Sequence, residues 1–368
     1  MSKRKVRVLV VDDSAFMRTV ITDLLTASGE IEVVGVARNG IEALERVRVL
    51  RPDVVTLDVE MPKMDGLETL EHLMRDHPTP VVMLSSVTKD ATESTLQAME
   101  RGAVDFVTKP GGTISLHLKT VECELIEKVK EAAKVQMSCL TSSNKGVRRS
   151  VPRSIDPPAR KKMIKVSQNN NFSKRSKTFV IIGTSTGGPR ALQEVLTNLP
   201  AELGAPLLIV QHMPPGFTKS LAQRLDKMCA IRVKEAEDGE TIQNNVAYIA
   251  PGEAHLKFKR FGSTYTIQLD DREPPRKAHR PAVDVLLESA ASERSLQYIT
   301  VIMTGMGNDG TEGVKTLKRQ NERTHVIAES EKTAVIYGMP KAIVEAGLAE
   351  EVKDLPDIAP SIVEMLRP

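Results

Sequence analysis

From residue 6 onward, short apolar runs alternate with longer stretches in which apolar residues return every three or four positions. The runs at 6–11, 31–36, 53–57, 80–84 and 104–107 predict strands, and the stretches at 15–27, 40–50, 66–75, 91–101 and 114–137 predict amphipathic helices. Five strand–helix units in succession specify a doubly wound parallel sheet with helices on both faces. The periodicity stops near residue 137 and resumes at 178. There, runs at 178–183, 206–210, 247–250 and 298–303, with a weaker one at 325–328, predict a second parallel sheet, and 255–258 with 264–269 reads as a hairpin turning at Gly262. Helices are expected at 189–199, 216–228, 282–292, 311–319, 340–346 and 358–366. The chain therefore divides into an α/β domain over 1–137, a connecting segment over 138–177 and a second α/β domain over 178–368. A helix-turn-helix is not part of this pattern.

Composition changes the picture mainly through charge. Residues 141–177 hold eleven Lys and Arg against Asp156 alone, so this stretch carries +10 of a chain whose net charge is +3, and the rest sums to −7. It is rich in Ser, Asn and Pro and buries too little apolar surface to offset chain entropy, which predicts a flexible basic linker. Aromatic residues make up only 3% of the chain and Phe172 is the one interleaved among these charges, which argues against specific nucleic-acid binding. Apolar runs are strand-sized, with no membrane span and no signal-peptide pattern, and Cys123, Cys139 and Cys229 suit neither a disulfide framework nor a zinc site. A cytoplasmic protein, membrane-associated only through its partners, is the expectation.

Ligands of parallel sheets gather at the carboxyl ends of strands. In the first domain those ends carry Asp12 and Asp13, Asp58, Ser85 and Lys109. Three carboxylates beside a lysine suit a hard cation such as Mg²⁺ and a phosphoryl group whose charge the lysine shares. Taken singly, each has a plainer reading; Asp13-Ser14, for example, suits a helix cap. Together with Met61-Pro62-Lys63-Met64-Asp65-Gly66 and Phe106-Val-Thr-Lys109-Pro110, these residues resemble the receiver domain of two-component response regulators over roughly 5–125. The resemblance implies a flavodoxin-like, five-stranded parallel sheet. It also implies Mg²⁺ held by Asp12, Asp13 and Asp58, phosphorylation of Asp58 by a chemotaxis histidine kinase, and switch roles for Ser85, Phe106 and Lys109.

In the second domain, Gly183-Thr-Ser185-Thr186-Gly-Gly188 lies between a strand and a helix. A hydroxyl at such a turn is lifted clear of the sheet beside helix N–H groups. The segment lacks the Gly-Lys-Ser/Thr of a phosphate loop and the Gly-x-Gly of a dinucleotide fingerprint, which leaves a nucleophile elbow or an ordinary turn. A nucleophilic serine needs an imidazole and a carboxylate. His212 follows the strand at 206–210 and Asp309 the strand at 298–303, while His325 is a rival base and His255 and His279 have less support from strand position.

Gly-Thr-Ser185-Thr-Gly-Gly-Pro, Gln-His212-Met-Pro, His279-Arg-Pro-Ala-Val-Asp284, Thr304-Gly-Met306-Gly-Asn-Asp309-Gly and Tyr337-Gly-Met-Pro340 are similar, in order, to the catalytic domain of the chemotaxis protein-glutamate methylesterase family. That resemblance implies a Ser185–His212–Asp309 triad, with Thr186 and Met306 lining the site. The activities it implies are hydrolysis of glutamate γ-methyl esters and deamidation of glutamines on methyl-accepting chemotaxis receptors. No cofactor is expected for the esterase step, and a switchable domain joined to a hydrolase leads us to expect a monomer whose unphosphorylated first domain covers the Ser185 cleft.

Overall fold

Runs of Val, Leu and Ile that lie buried between two helical layers form the strands of the first sheet, as parallel strands covered on both faces require. These strands are β1 (Val6–Val11), β2 (Ile31–Ala37), β3 (Val54–Asp58), β4 (Val81–Ser85) and β5 (Asp105–Thr108), all parallel in the order β2-β1-β3-β4-β5. The computed structural model describes residues 4–86, 88–109, 117–135, 137 and 177–367. Helices α1 (Ala15–Ala27), α2 (Gly40–Leu50), α3 (Gly66–Asp76) and α4 (Lys89–Glu100) each start at a side-chain cap: Ser14, Asn39, Asp65 and Thr88 accept from the N–H three residues on. Ser14 thus fulfils the capping role, while Asp13 is left exposed near Asp12 and Asp58. Helix α5 (His117–Ala132) stops short of the expected residue 137, because Lys134 and Val135 donate to carbonyls three residues back and tighten the last turn. The basic segment expected to be a linker lies, except for Lys177, outside the described residues.

The second domain is built on a seven-stranded parallel sheet ordered β14-β13-β12-β6-β7-β9-β8. Its strands are β6 (Thr178–Thr184), β7 (Leu207–Gln211), β8 (Arg232–Glu235), β9 (Val246–Ile249), β12 (Gln297–Ile302), β13 (Thr324–Glu329) and β14 (Glu351–Lys353). Strands β10 (His255–Phe261) and β11 (Thr264–Asp270) form the separate hairpin. The helices are α6 (Gly188–Thr197), α7 (Phe217–Asp226), α8 (Val283–Ala291), α9 (Thr311–Gln320), α10 (Met339–Glu345) and α11 (Leu355–Leu366). Hydrophobic patterning does not reveal β8 and β14. Both are edge strands, Arg-Val-Lys-Glu and Glu-Val-Lys, whose charges guard an open edge. From β6 the chain winds first toward β7 and later returns on the other side through β12, so strand order reverses at the β6–β12 boundary. Loops beyond the carboxyl ends of those two strands flank the crevice where α/β sheets hold ligands.

The two domains meet through the edge strand β5 and helix α4 of the first and helices α6 and α7 of the second. One hydrophobic cluster runs from Leu96, Met99 and Phe106 into Phe217 and Leu221. The Phe106 and Phe217 rings stack at 4.5 Å and 21°. Arg224 of α7 pairs with Glu100 of α4 through two parallel hydrogen bonds. No helix among the described residues is long and apolar enough to cross a membrane.

Phe217 is fully buried where this cluster passes between domains. Phe217→Ala should destabilise the second domain by about 3–5 kcal/mol. The measurement is the urea midpoint by far-ultraviolet circular dichroism, and an unchanged midpoint would contradict the burial.

Candidate active site

Strand β6 ends at Thr184 and the chain turns sharply through Ser185, Thr186 and Gly187 into α6. Gly187 sits at φ +78°, and a Cβ there would lie 2.7 Å from the Val335 Cβ. A Cβ on Gly188 would fall 1.9 Å from the Gln211 side-chain oxygen, so the helix can start this close to β7 only with glycine. The turn closes with Gly188 N–H donating to the Ser185 carbonyl at 2.8 Å. Thr304, just beyond β12, holds it from the other side. Its carbonyl accepts from Ser185 N–H at 3.0 Å, and its hydroxyl donates to the Thr186 carbonyl at 2.8 Å while accepting from Ile336 N–H at 3.0 Å.

His212 follows β7, and its N–H donates to the Thr184 carbonyl at 3.2 Å. The Gln211 side-chain amide donates to the carbonyls of both Ser185 and His212 at 3.0 Å, tying the two strand ends together. His212 Nε2 lies 2.8 Å from Asp309 Oδ2, and both side chains are buried. Asp309 also accepts from the N–H groups of Val283 at 2.6 Å, Asp284 at 3.0 Å and Gly310 at 2.9 Å. Burial opposes charge on Asp309, but the bonds from His212 and from this backbone hold its carboxyl well below the usual range. Asp284 reciprocates by accepting from Gly310 and Gly313 at the start of α9, and it pairs with Lys277 at 2.8 Å.

Ser185, His212 and Asp309 thus follow the carboxyl ends of β6, β7 and β12, and of the three side chains His212 and Asp309 are hydrogen-bonded to each other. Two of the alternative histidines lie elsewhere: His325 pairs with Glu351 at 3.3 Å and His255 Nε2 meets the Pro274 carbonyl at 3.2 Å. Two details lie beyond sequence reasoning. His212 Nδ1 is buried with no hydrogen-bond partner, and His279 lies face to face with His212. Among the described residues the Ser185 hydroxyl makes no hydrogen bond, and the N–H groups of Thr186 and half-buried Met306 donate to no partner.

In the first domain, Asp12, Asp13 and Asp58 bring ligand oxygens within 4.8 Å of one another, an all-oxygen donor set that fits Mg²⁺. Lys109 Nζ pairs with Asp12 at 2.8 Å and Asp58 at 2.6 Å. Burial raises Asp58 to about 6 even though Lys109 favours its charge. Ser85 is fully buried and accepts from the Thr95 hydroxyl at 2.7 Å, and Phe106 is turned inward against Phe217.

Residues 180–362 match the family model described as CheB methylesterase, and residues 8–120 match the response regulator receiver domain. A protein-glutamate methylesterase/protein-glutamine glutaminase of Geobacillus kaustophilus is 52% identical over 363 residues, 99% of each chain. The chain belongs to the CheB methylesterase family. The protein of the same name from Halalkalibacterium halodurans is 51% identical over 99% of each chain. The crystallised CheB methylesterase catalytic domain of Thermotoga maritima is 45% identical, with a TM-score of 0.49, over 52% of this chain and 99% of that one.

In this CheB-type architecture the receiver touches the elbow directly. The Thr186 hydroxyl donates to Asp105 of β5, and Lys128 of α5 holds Asp105 at 3.3 Å, Glu124 at 2.7 Å and the Phe106 carbonyl at 2.7 Å. Sequence reasoning passed over Asp105, because an acid opening a strand carries no signal of what faces it. Glu329 was also missed, although it ends β13 as Asp58 ends β3 and was open to the same strand-end argument. It is fully buried, accepts from Thr304 N–H at 2.8 Å and from the Thr333 hydroxyl at 3.0 Å, and so fixes the residue that fixes Ser185.

Burial pushes the Glu329 carboxyl up to about 7 from an ordinary 4.5, against the pull of those two donors. Between these values the folded state keeps a proton that the unfolded chain has released. Stability is then lost as pH rises through that window. Glu329→Gln should flatten this dependence and raise stability at pH 8 by a few kcal/mol. Urea unfolding across pH 5 to 8 measures it, and an unaltered slope would refute the assignment.

Proposed function

We propose that the chain is a phosphorylation-activated protein-glutamate methylesterase and protein-glutamine glutaminase. Its substrates are methyl-accepting chemotaxis receptors, and a chemotaxis histidine kinase supplies the phosphoryl group. The observation that carries the reading is the buried His212–Asp309 pair beside the Ser185 elbow. With Nε2 committed to Asp309, the basic nitrogen is the partnerless Nδ1. It takes the Ser185 proton as Oγ attacks the γ-carbonyl, and Asp309 stabilises the imidazolium. Ser185 N–H is already bonded to Thr304, so the oxyanion falls to the free N–H groups of Thr186 and Met306. Losing one such donor typically costs about 10²–10³ in rate. The tetrahedral adduct expels the methoxy group, which leaves as methanol with the Nδ1 proton; a glutamine loses ammonia by the same route. Water, deprotonated by Nδ1, then attacks the acyl-enzyme, releasing glutamate and restoring the serine. No cofactor enters these steps.

Regulation follows from what lies against the elbow. Asp105 accepts from the Thr186 hydroxyl and Phe106 stacks on Phe217 beside it, contacts that in this reading keep the unphosphorylated form inactive. Asp12, Asp13 and Asp58 would hold Mg²⁺, which would supply neutralisation of charge on the phosphoryl group. Phosphorylation of Asp58 redirects Lys109, at the end of the strand that carries Asp105 and Phe106, and draws on Ser85 at the root of α4, which carries Glu100. The two receiver elements in the interface thus both end at the phosphorylation site. Moving a population from mostly closed to mostly open takes about 5.5 kcal/mol, a magnitude within reach of one such interface.

Ser185→Ala should abolish methanol release from methylated receptors while leaving the thermal midpoint unchanged; retained release would remove the serine from its role. Arg224→Ala, which breaks the bond to Glu100 outside the catalytic machinery, should raise unphosphorylated activity and shrink stimulation by a phosphodonor. Unchanged basal activity would argue that the interface does not gate the site.

A further inference from the structure

The His212 and His279 rings lie 3.8 Å apart, only 9° from parallel. We propose that His279 is a positioning residue, whose stack fixes the plane of His212 so that Nδ1 stays in place for proton transfer while Nε2 stays on Asp309. The inference rests on the esterase reading above and goes beyond it by assigning a role to a residue outside the triad.

The His212 ring has one hydrogen bond, at Nε2, and none at Nδ1. A ring held at a single corner keeps freedom to tilt about that corner, and a misplacement of about 1 Å is enough to cost on the order of 100-fold in rate. A flat neighbour across the whole face removes this freedom without engaging the basic nitrogen. His279 is suited to that task alone, because among the described residues its ring makes no hydrogen bond or ion pair and its one ring contact is the stack.

The loop that carries His279 is built to hold it there. Arg276 and His279 exchange backbone hydrogen bonds at 2.9 Å, and Glu253 N–H donates to the Arg280 carbonyl at 3.0 Å. Arg276 pairs with Glu288 of α8 at 3.0 Å, and Arg280 donates to the Asp271 carbonyl at 2.6 Å. Lys277 reaches Asp284, whose own N–H donates to Asp309, so the loop is tied to the same pair of carboxylates that hold His212. Lys277 and Ala278 sit consecutively at φ 51° and 66°, a left-handed conformation that non-glycine residues keep only when their surroundings enforce it.

The charged and titratable groups around His279 are His212, Asp309 and Lys128. Burial first, and then the neighbouring His212, push the His279 imidazole down to about 3, with Asp309 opposing. At neutral pH it is therefore an uncharged ring, against which an imidazolium can form on His212 without like-charge repulsion.

The test uses the full-length protein, activated with a small-molecule phosphodonor, and methanol release from methylated receptor membranes. His279→Phe keeps a flat ring and removes the nitrogens; His279→Gln keeps polarity and removes the ring. Phe should retain kcat within about threefold, whereas Gln and Ala lower it by roughly 10-fold or more with KM little changed. Labelling of Ser185 by a fluorophosphonate should slow in parallel. Wild-type kcat in the Gln and Ala variants, or Phe as slow as Gln, overturns the proposal. Should Ala fail to fold, judged by its thermal midpoint, the Phe and Gln pair still decides. If Ser185→Ala keeps its activity, the esterase reading fails and this proposal with it; an inactive Ser185→Ala beside an unaffected His279→Gln rejects the stack alone.

Discussion

A carboxylate out of reach of water must be surrounded by donors, and the way Asp309 meets that demand organises the catalytic domain. It takes two N–H groups from the first turn of α8, one from Gly310 and the imidazole of His212. Asp284, in that same turn of α8, returns the favour by capping α9. Each helix thus supplies the acid that caps the other, and helix N-termini favour negative charge. The histidine then finds a carboxylate whose position is set by two helices rather than by a single rotamer.

A similar logic of shared constraints governs the elbow. Thr304 binds the backbone of Ser185 and Thr186 on one side and is itself bound by the buried Glu329 on the other. Gln211 bridges the serine and histidine carbonyls. These polar groups are buried, so a displacement that stranded a donor or acceptor would cost about 1–3 kcal/mol. Shared hydrogen bonds hold the site, and among the described groups left unpaired are His212 Nδ1 and the N–H groups of Thr186 and Met306, which the proposed chemistry uses.

The interface between domains places the receiver against the elbow, where the proposed regulation acts. Asp105 takes the hydroxyl next to the serine, and Lys128, itself half-buried, holds Asp105 in place. Lys128 also adds positive charge near His279. The receiver strand in contact is the edge strand β5, just beyond whose other end lies Lys109, in contact with Asp58. A sheet edge is an economical place for such a switch, since only one side of β5 is committed to its own sheet.

Both α/β folds, the strand-end acids of the receiver and the strand-end positions of Ser185, His212 and Asp309 were legible in the chain. Central parallel strands must be apolar on both faces, and ligand groups must follow their carboxyl ends. Edge strands β8 and β14 were not legible, because a strand with one open edge carries charges that erase the apolar run. Periodicity also extended α5 past the point where i→i+3 bonds close its last turn. What only the tertiary structure decided were contacts between residues far apart in sequence: Asp105 with Thr186, Phe106 with Phe217, Glu329 with Thr304, and His279 with His212. Local pattern reports whether a position is buried and in what kind of element. It does not report which surface of another element lies against it, since that depends on how sheets twist, how helices cross and how two domains close on each other.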